Sequence, residues 1–468
     1  MPRFVPSCVL ALAVAVATLT AHADVPAPGA APGGAPPPRQ VRGRAIEGMI
    51  AATGDASLHA FADEHLAPSY RASLPEDSLF ARLRAIRAAC REFGGVLYRR
   101  LDGGGTRIEF LMDGGRRTPL VFRIEDAPPN RITALELGAT ETSPGAQVAP
   151  ITWATLEARL GEEAANGFDG TVLVAHDGKV VVHRGYGMAD RERHRPNGLN
   201  TIFGIGSVPI DFTRAAVLKL AETGRLSLSD SLPQLLPDVP ADKRGITIEQ
   251  LMSGRSGLAN FHDVRGVDAD PDLSWIDRDT AIRRILGQPL LFAPGTDRAH
   301  SHSAWVLLAA IVERVAKQPY AEFLRTQFFV PAGMTRTGQH EEVQQYADDE
   351  FAVGYGQQSS TPNIPKHWGR TSWLVMGSGG MVSTPGDLNR WLAAMRAGKL
   401  LSPESQKRFW THGVLAGGDM HGYTCVYTEG PGDWFVLCSN DAPQRGHADG
   451  IARALATLVG GERPPVGN

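Results

Sequence analysis

The sequence predicts an α/β (α+β) protein of two folded units, and three observations carry that prediction. Residues 40–140 show helical periodicity followed by four short alternating strand patterns. From residue 152 onward a strand hairpin leads into several long amphipathic helical runs. With 468 residues, 43% hydrophobic and 21% charged, the chain is too long for one ordinary core and apolar enough for two. A formal net charge of −3 offers no basic field for a phosphate backbone, so nucleic acid is not an expected partner.

The chain opens with Arg3, the apolar run CVLALAVAVATL and the small residues Ala21–Ala23, the order of a secretory signal. Residues 1–23 are therefore expected to be a signal peptide, and the mature protein to be periplasmic or secreted. The apolar core is short for a membrane span, so none is expected after cleavage. Residues 24–39, rich in Pro, Ala and Gly, read as a flexible linker. The small α+β unit of residues 40–140 begins with three helical patterns, the last being LFARLRAIRAACREFG, with Gly94 to stop it. The strands GVLYRRL, TRIEFLM, TPLVFRI and RITALEL follow, separated by DGGG, DGG and DAPPN turns. Helices ahead of an antiparallel meander cover one sheet face. This order resembles the nuclear-transport-factor-2-like or cystatin-like domains that precede some secreted hydrolases. No residues of this unit converge as chemistry, so a packing or partner-binding role is expected. Residues 141–151 read as a second linker, and 152–468 as the larger domain.

Apart from Cys8 in the leader, the cysteines are Cys90, Cys425 and Cys438. Cys90 sits among apolar residues of a helical run and reads as a buried thiol. Cys425 and Cys438 flank two apolar runs around a Gly-Pro-Gly turn, which permits them to face each other across a hairpin.

In the larger unit, FDGTVLVAHDGKVVVHRGYG alternates around an Asp-Gly turn, the pattern of a β-hairpin. It precedes IFGIGSVPIDFTRAAVLKLAETG, ITIEQLMSGRSGLANFHD, PGTDRAHSHSAWVLLAAIVERV and GSGGMVSTPGDLNRWLAAM. Together these runs resemble the serine β-lactamase and penicillin-binding-protein family, in its class C, D-aminopeptidase and esterase branch. The resemblance covers roughly residues 165–445 and implies an antiparallel sheet with a helical lobe, the site lying in the cleft between them. It also implies acyl transfer through a serine ester and no cofactor.

The family's three motifs are altered. At the S-x-x-K motif, Ser207 keeps the nucleophile position, Pro209 suits a first helical turn, and Ile210 stands where the lysine base belongs. At Y-x-N, His300 takes the tyrosine position and His302 the substrate-holding asparagine position. At K-T-G or H-x-G, the best alignment places Ala416 where a cation belongs and Gly418 at the conserved-space glycine; a rival alignment uses His421. Ile210, His300, His302 and Ala416 are thus the replaced family positions. No zinc helix, G-x-S-x-G elbow or Walker loop compensates.

Three readings follow. The leading one is a pseudoenzyme that binds a small ligand, ester or cell-wall peptide fragment, because loss of a base removes about 10²–10⁴ in rate. The alternative is a remodelled serine esterase or peptidase in which His300 is the base for Ser207, oriented by Asp211 or Asp297, with a backbone oxyanion hole retained. A minor alternative is a metal site of His300, His302 and His421. His262 and Asp263, in NFHD, read as loop packing.

Overall fold

The computed structural model describes residues 38–51, 54–91, 93–100, 105–112, 116–142, 148–263, 274–356, 360–411, 416–418, 421–430, 432–440 and 445–460. The expected signal peptide and nearly all of the first linker lie outside the described residues.

The first unit begins with four helices, α1 (Pro38–Ala51), α2 (Ala56–His65), α3 (Pro68–Ala72) and α4 (Glu76–Cys90). The additional one, α3, is a five-residue piece with Pro68 at its first position, where a missing N–H does no harm. Strands β1 (Phe93–Arg100), β2 (Thr106–Met112), β3 (Arg116–Ile124) and β4 (Ile132–Leu137) form an antiparallel meander in chain order. Gly94, expected to stop α4, lies inside β1 instead; the helix ends at Cys90. A two-residue strand, β5 (Glu141–Thr142), pairs with Arg116 and Arg117 of β3, so the expected second linker begins as sheet. Leu79, Leu83, Ile86 and Cys90 recur at helical spacing along α4 and share one core with Ile108, Phe110, Leu120 and Phe122 at strand spacing. Burial pushes the Cys90 thiol up to about 12, which makes it inert packing.

In the second unit, helix α5 (Leu156–Ala165) precedes the hairpin β6 (Gly170–His176) and β7 (Lys179–Tyr186). Its turn residues Asp177 and Gly178 both have positive φ, 48° and 73°, as a two-residue hairpin with right-handed twist requires. The sheet runs Ala416–Gly418, Thr424–Glu429, Trp434–Ser439, β6, β7, antiparallel throughout. Alternate residues serve two cores. Val172, Val174, Val426, Phe435 and Leu437 pack toward α5 and the helix Arg445–Val459. Leu173, Ala175, Cys425, Tyr427 and Val436 pack toward helix α6 (Pro209–Glu222) and the helix His302–Ala316. Ile151 is buried with Leu156 and Val148 packs against the same core, so it reaches into the segment expected as linker ahead of residue 152. Among the described residues, no helix is long and apolar enough to cross a membrane.

Candidate active site

The entry to α6 places the serine. Phe203–Gly204 pairs with Met381–Ser383, then Gly206 turns the chain at φ 50° and Ser207 follows, 6% exposed. Pro209 opens the helix, and the N–H of Ile210 donates to the Ser207 carbonyl at 3.0 Å. Ile210 is 1% exposed and belongs to the main core, so the side chain at the position expected for a lysine is core packing.

The second side of the site is the start of the helix His302–Ala316. Ser207 Oγ lies 3.3 Å from His302 Nε2. The other ring nitrogen, Nδ1, lies 3.3 Å from Asn260 Oδ1, and the same oxygen accepts the His302 backbone N–H at 3.3 Å. That second contact decides the tautomer. A backbone N–H is always a donor, so the asparagine atom facing it is the oxygen, and His302 Nδ1 must carry the proton it gives to that oxygen. The Nε2 lone pair is then left for the Ser207 hydroxyl. Asn260 also satisfies one of the first-turn N–H groups a helix leaves unpaired.

Ser207, His302 and Asn260 thus have the spatial arrangement that a nucleophile, its base and an orienting amide require. His302 is 8% exposed, and burial, with the neighbouring His300 and His262, holds its imidazole well below the ordinary value. A helix N-terminus acts in the same direction. The ring is flanked edge-on by two other imidazoles, His300 at 4.7 Å and 88° and His262 at 4.9 Å and 85°.

Several expectations change. His300, expected as the base, stands exposed at the rim; the imidazole on Ser207 is that of His302, expected to hold substrate. Crowding, His262, Arg298 and Arg214 push His300 down, but water at its exposed edge screens them, so the depression at enclosed His302 is the firmer one. The orienting group is Asn260, not Asp211 or Asp297. Asp211 is buried against the Arg214 guanidinium and the Tyr427 hydroxyl, and Asp297 accepts the Arg298 N–H at 2.7 Å. His262, read as loop packing, touches the base. Ala416 and Gly418 lie in the strand expected for the third motif, opposite Val426 and Thr424, while the Ala416 side chain lies outside the described residues. His421 is buried and packs on Trp368 at 4.4 Å.

The beta-lactamase family profile matches residues 155–455, well over half of the chain. The chain belongs to the beta-lactamase family. It is 29% identical over 279 residues to penicillin-binding protein 4* of Bacillus subtilis (strain 168), covering 58% of this chain and 61% of that protein. It is 30% identical over 230 residues to the protein flp of Staphylococcus aureus (strain COL), 47% of this chain and 44% of that one. The chain thus spans about half to three fifths of these curated relatives. In structure it is similar to the D-amino acid amidase of Ochrobactrum anthropi SV3 complexed with L-phenylalanine amide, with a TM-score of 0.55 at 21% identity, over 64% of this chain and 96% of that one. At that identity the likeness speaks to fold.

For a beta-lactamase-family cleft, the histidines raise the metal question. Among the described residues, the group whose ligand atoms all lie within 4.8 Å of one another is His176, Asp177 and Asp433, at the β6–β7 turn. Neither His262, His300 and His302 nor the expected set with His421 converges that closely, so the cleft geometry suits a proton relay better than a metal.

Another histidine of this unit makes stability pH-dependent. His340 is 5% exposed and edge-on to Trp368 at 5.1 Å, and burial, aided by His421, pushes its imidazole down to about 3. Between the ordinary value of 6.5 and about 3 the unfolded chain binds a proton here that the folded chain does not, so stability falls as pH falls through that window. His340→Gln should flatten this slope by about 1.4 kcal/mol per pH unit. Urea denaturation at several pH values checks it; an unchanged slope would assign the acid sensitivity to other groups.

Proposed function

We propose that this protein is a serine hydrolase of the family fold in which a Ser207–His302–Asn260 relay replaces the lysine-based one, acting on small activated esters. The carrying observation is the doubly engaged Asn260 oxygen, which fixes the His302 tautomer with its acceptor nitrogen toward Ser207 Oγ.

Chemically, Ser207 Oγ attacks the acyl carbon while its proton passes to His302 Nε2, and the imidazolium that forms is held by Nδ1–H donation to Asn260. The same proton then goes to the departing alkoxide, leaving an acyl-serine. A water loses its proton to Nε2 and attacks the acyl carbon; the bond to Ser207 Oγ breaks as Nε2 returns that proton to Oγ, releasing the acid and restoring the free serine and neutral imidazole. Esters suit this site because their leaving groups need less proton assistance than amines, and because the alignment puts no cation at Ala416 to anchor a substrate carboxylate. The first unit, whose helices and sheet close on their own core, fits a packing or partner-binding role.

The opposing reading, a cleft that binds without turnover, rests on the buried Ile210. Exposure to a fluorophosphonate followed by intact mass distinguishes the two: one adduct located on Ser207 supports the hydrolase, and an unmodified folded protein supports a binding role. The labelling rate should stay level from neutral pH to below 6.5, since His302 remains a free base there, and fall only in more acid solution. An inflection near 6.5 would instead identify an imidazole of ordinary value, and not His302, as the base.

A further inference from the structure

Strand pairing sets Cys425 directly opposite Cys438, in adjacent antiparallel strands of the main sheet. Directly opposed residues in such a pair have Cα atoms about 4.5–5.5 Å apart, inside the span a disulfide bridges. The side chains lie on the same face, both 0% exposed, with Sγ atoms 3.1 Å apart. Neither sulfur is within reach of the proposed hydrolytic chemistry by any contact described above, and neither is needed for it. Their position in the sheet is nonetheless close to the cleft: Gly417, in the strand expected to carry the third motif, pairs with Cys425, and Cys438 pairs with Thr171 of β6. Two residues beyond Cys425 on the same face, Tyr427 reaches the buried carboxylate of Asp211 on α6.

We propose that Cys425 and Cys438 are a covalent modification site, joined in the mature protein by a cross-strand disulfide that fixes the register of the strand beside the cleft. In the reaction both S–H bonds break and one S–S bond forms. The two protons and two electrons pass to an incoming disulfide, of the glutathione or protein-oxidant class, whose S–S bond breaks to give two thiols. The secretory leader expected from the sequence would deliver the chain to a compartment where such oxidants operate. Burial pushes the Cys438 thiol well above its ordinary value, so little thiolate exists in the folded sheet and the bond forms while the strands are still assembling. The thirteen-residue separation closes a loop long enough for the bond to restrict the unfolded chain appreciably.

Both cysteines fall in a single tryptic peptide, Phe409–Arg445, which makes the test direct. The full chain is unfolded with reductant, refolded in a mixture of reduced and oxidised glutathione until its circular dichroism is native, then denatured in N-ethylmaleimide and digested. The expected result is a peptide with no maleimide adduct and a mass about 2 Da below the dithiol. It should gain two adducts after prior reduction. Two adducts without reduction, in protein that has regained its native spectrum, would overturn the proposal. A peptide carrying glutathione on one sulfur would overturn it as well. A double Cys425→Ala, Cys438→Ala variant separates the covalent bond from packing. Oxidised wild-type protein should melt several degrees above its reduced form, whereas the variant should melt at one temperature in either condition. Equal melting of oxidised and reduced wild type would remove the proposed role in holding the strands.

Discussion

Ser207→Ala and His302→Ala are each expected to lower turnover of an activated ester by about 10⁴-fold or more, and the double variant to lose little beyond either single change. The non-additivity is the diagnostic part. Residues that act as one unit fail together, because a hydroxyl without its base is a weak nucleophile and a base without its hydroxyl has no proton to accept. His300→Ala should cost far less, about tenfold or below, since it touches the base at its edge and does not reach Ser207 by the hydrogen bond that His302 makes. Steady-state kinetics on a nitrophenyl ester measure all four proteins. If His300→Ala abolished turnover while His302→Ala left it, the base would be the rim histidine and the relay proposed above would be wrong. Asn260→Ala belongs to the same series. It should lower kcat while leaving KM nearly unchanged, since the amide orients the base and does not approach substrate.

The second large effect concerns stability. Asp211, 1% exposed, accepts from the guanidinium of Arg214, 4% exposed, and from the hydroxyl of Tyr427. Burial pushes the Asp211 carboxyl up, and Arg214 and Tyr427 act against it. Asp211→Ala leaves a guanidinium and a phenol in the core without their shared acceptor, which is expected to destabilise the fold by about 3–5 kcal/mol. Replacing both ends of the pair by apolar residues, Asp211→Leu with Arg214→Met, should recover most of that loss, because no uncompensated charge remains. Guanidinium denaturation reads both. A loss below about 1 kcal/mol in Asp211→Ala would mean that water reaches the pair and compensates Arg214. A further variant tests the discarded role of Asp211 beside the imidazole. Asp211→Asn should leave the pH profile of fluorophosphonate labelling in place even where it lowers the melting temperature.

Much of the architecture was legible because it rests on local periodicity. The Asp177-Gly178 turn, the alternation through TVLVA and the helical spacing in α4 each depend on neighbours a few residues away; the hairpin formed where the pattern placed it, and α4 kept its spacing but ended at Cys90, short of Gly94. Less legible were short pieces whose existence depends on distant partners. The strand β5 forms where β3 offers an edge at Arg116 and Arg117, and the piece α3 is held by Tyr70, buried in the first core with its hydroxyl donating to the Leu135 carbonyl of β4. Gly94 shows the reverse case: a residue type that usually ends helices lies in β1 at the register shift between Phe93 and Gly95, the kind of strand irregularity glycine commonly marks.

For the site, the sequence by itself determined the chemistry available. Ser207 at a helix mouth, Pro209 in its first turn, an apolar side chain at Ile210 and two histidines at 300 and 302 follow from residue order alone. It also led to the expectation that a lysine route is closed at Ile210, since no fold can make an isoleucine accept a proton. Which imidazole meets the serine was decided by tertiary structure. His302 is the first helical residue and His300 lies before the turn. Helical side chains tilt toward the N-terminus, so that of His302 overhangs the helix mouth where Ser207 stands, while His300 is left at the rim. Asn260 is 42 residues away in sequence and reaches His302 only because its loop packs across the helix start. Hydrogen bonds between segments that far apart carry no periodic signature, so the partner that fixes the tautomer is visible only once the chain is folded.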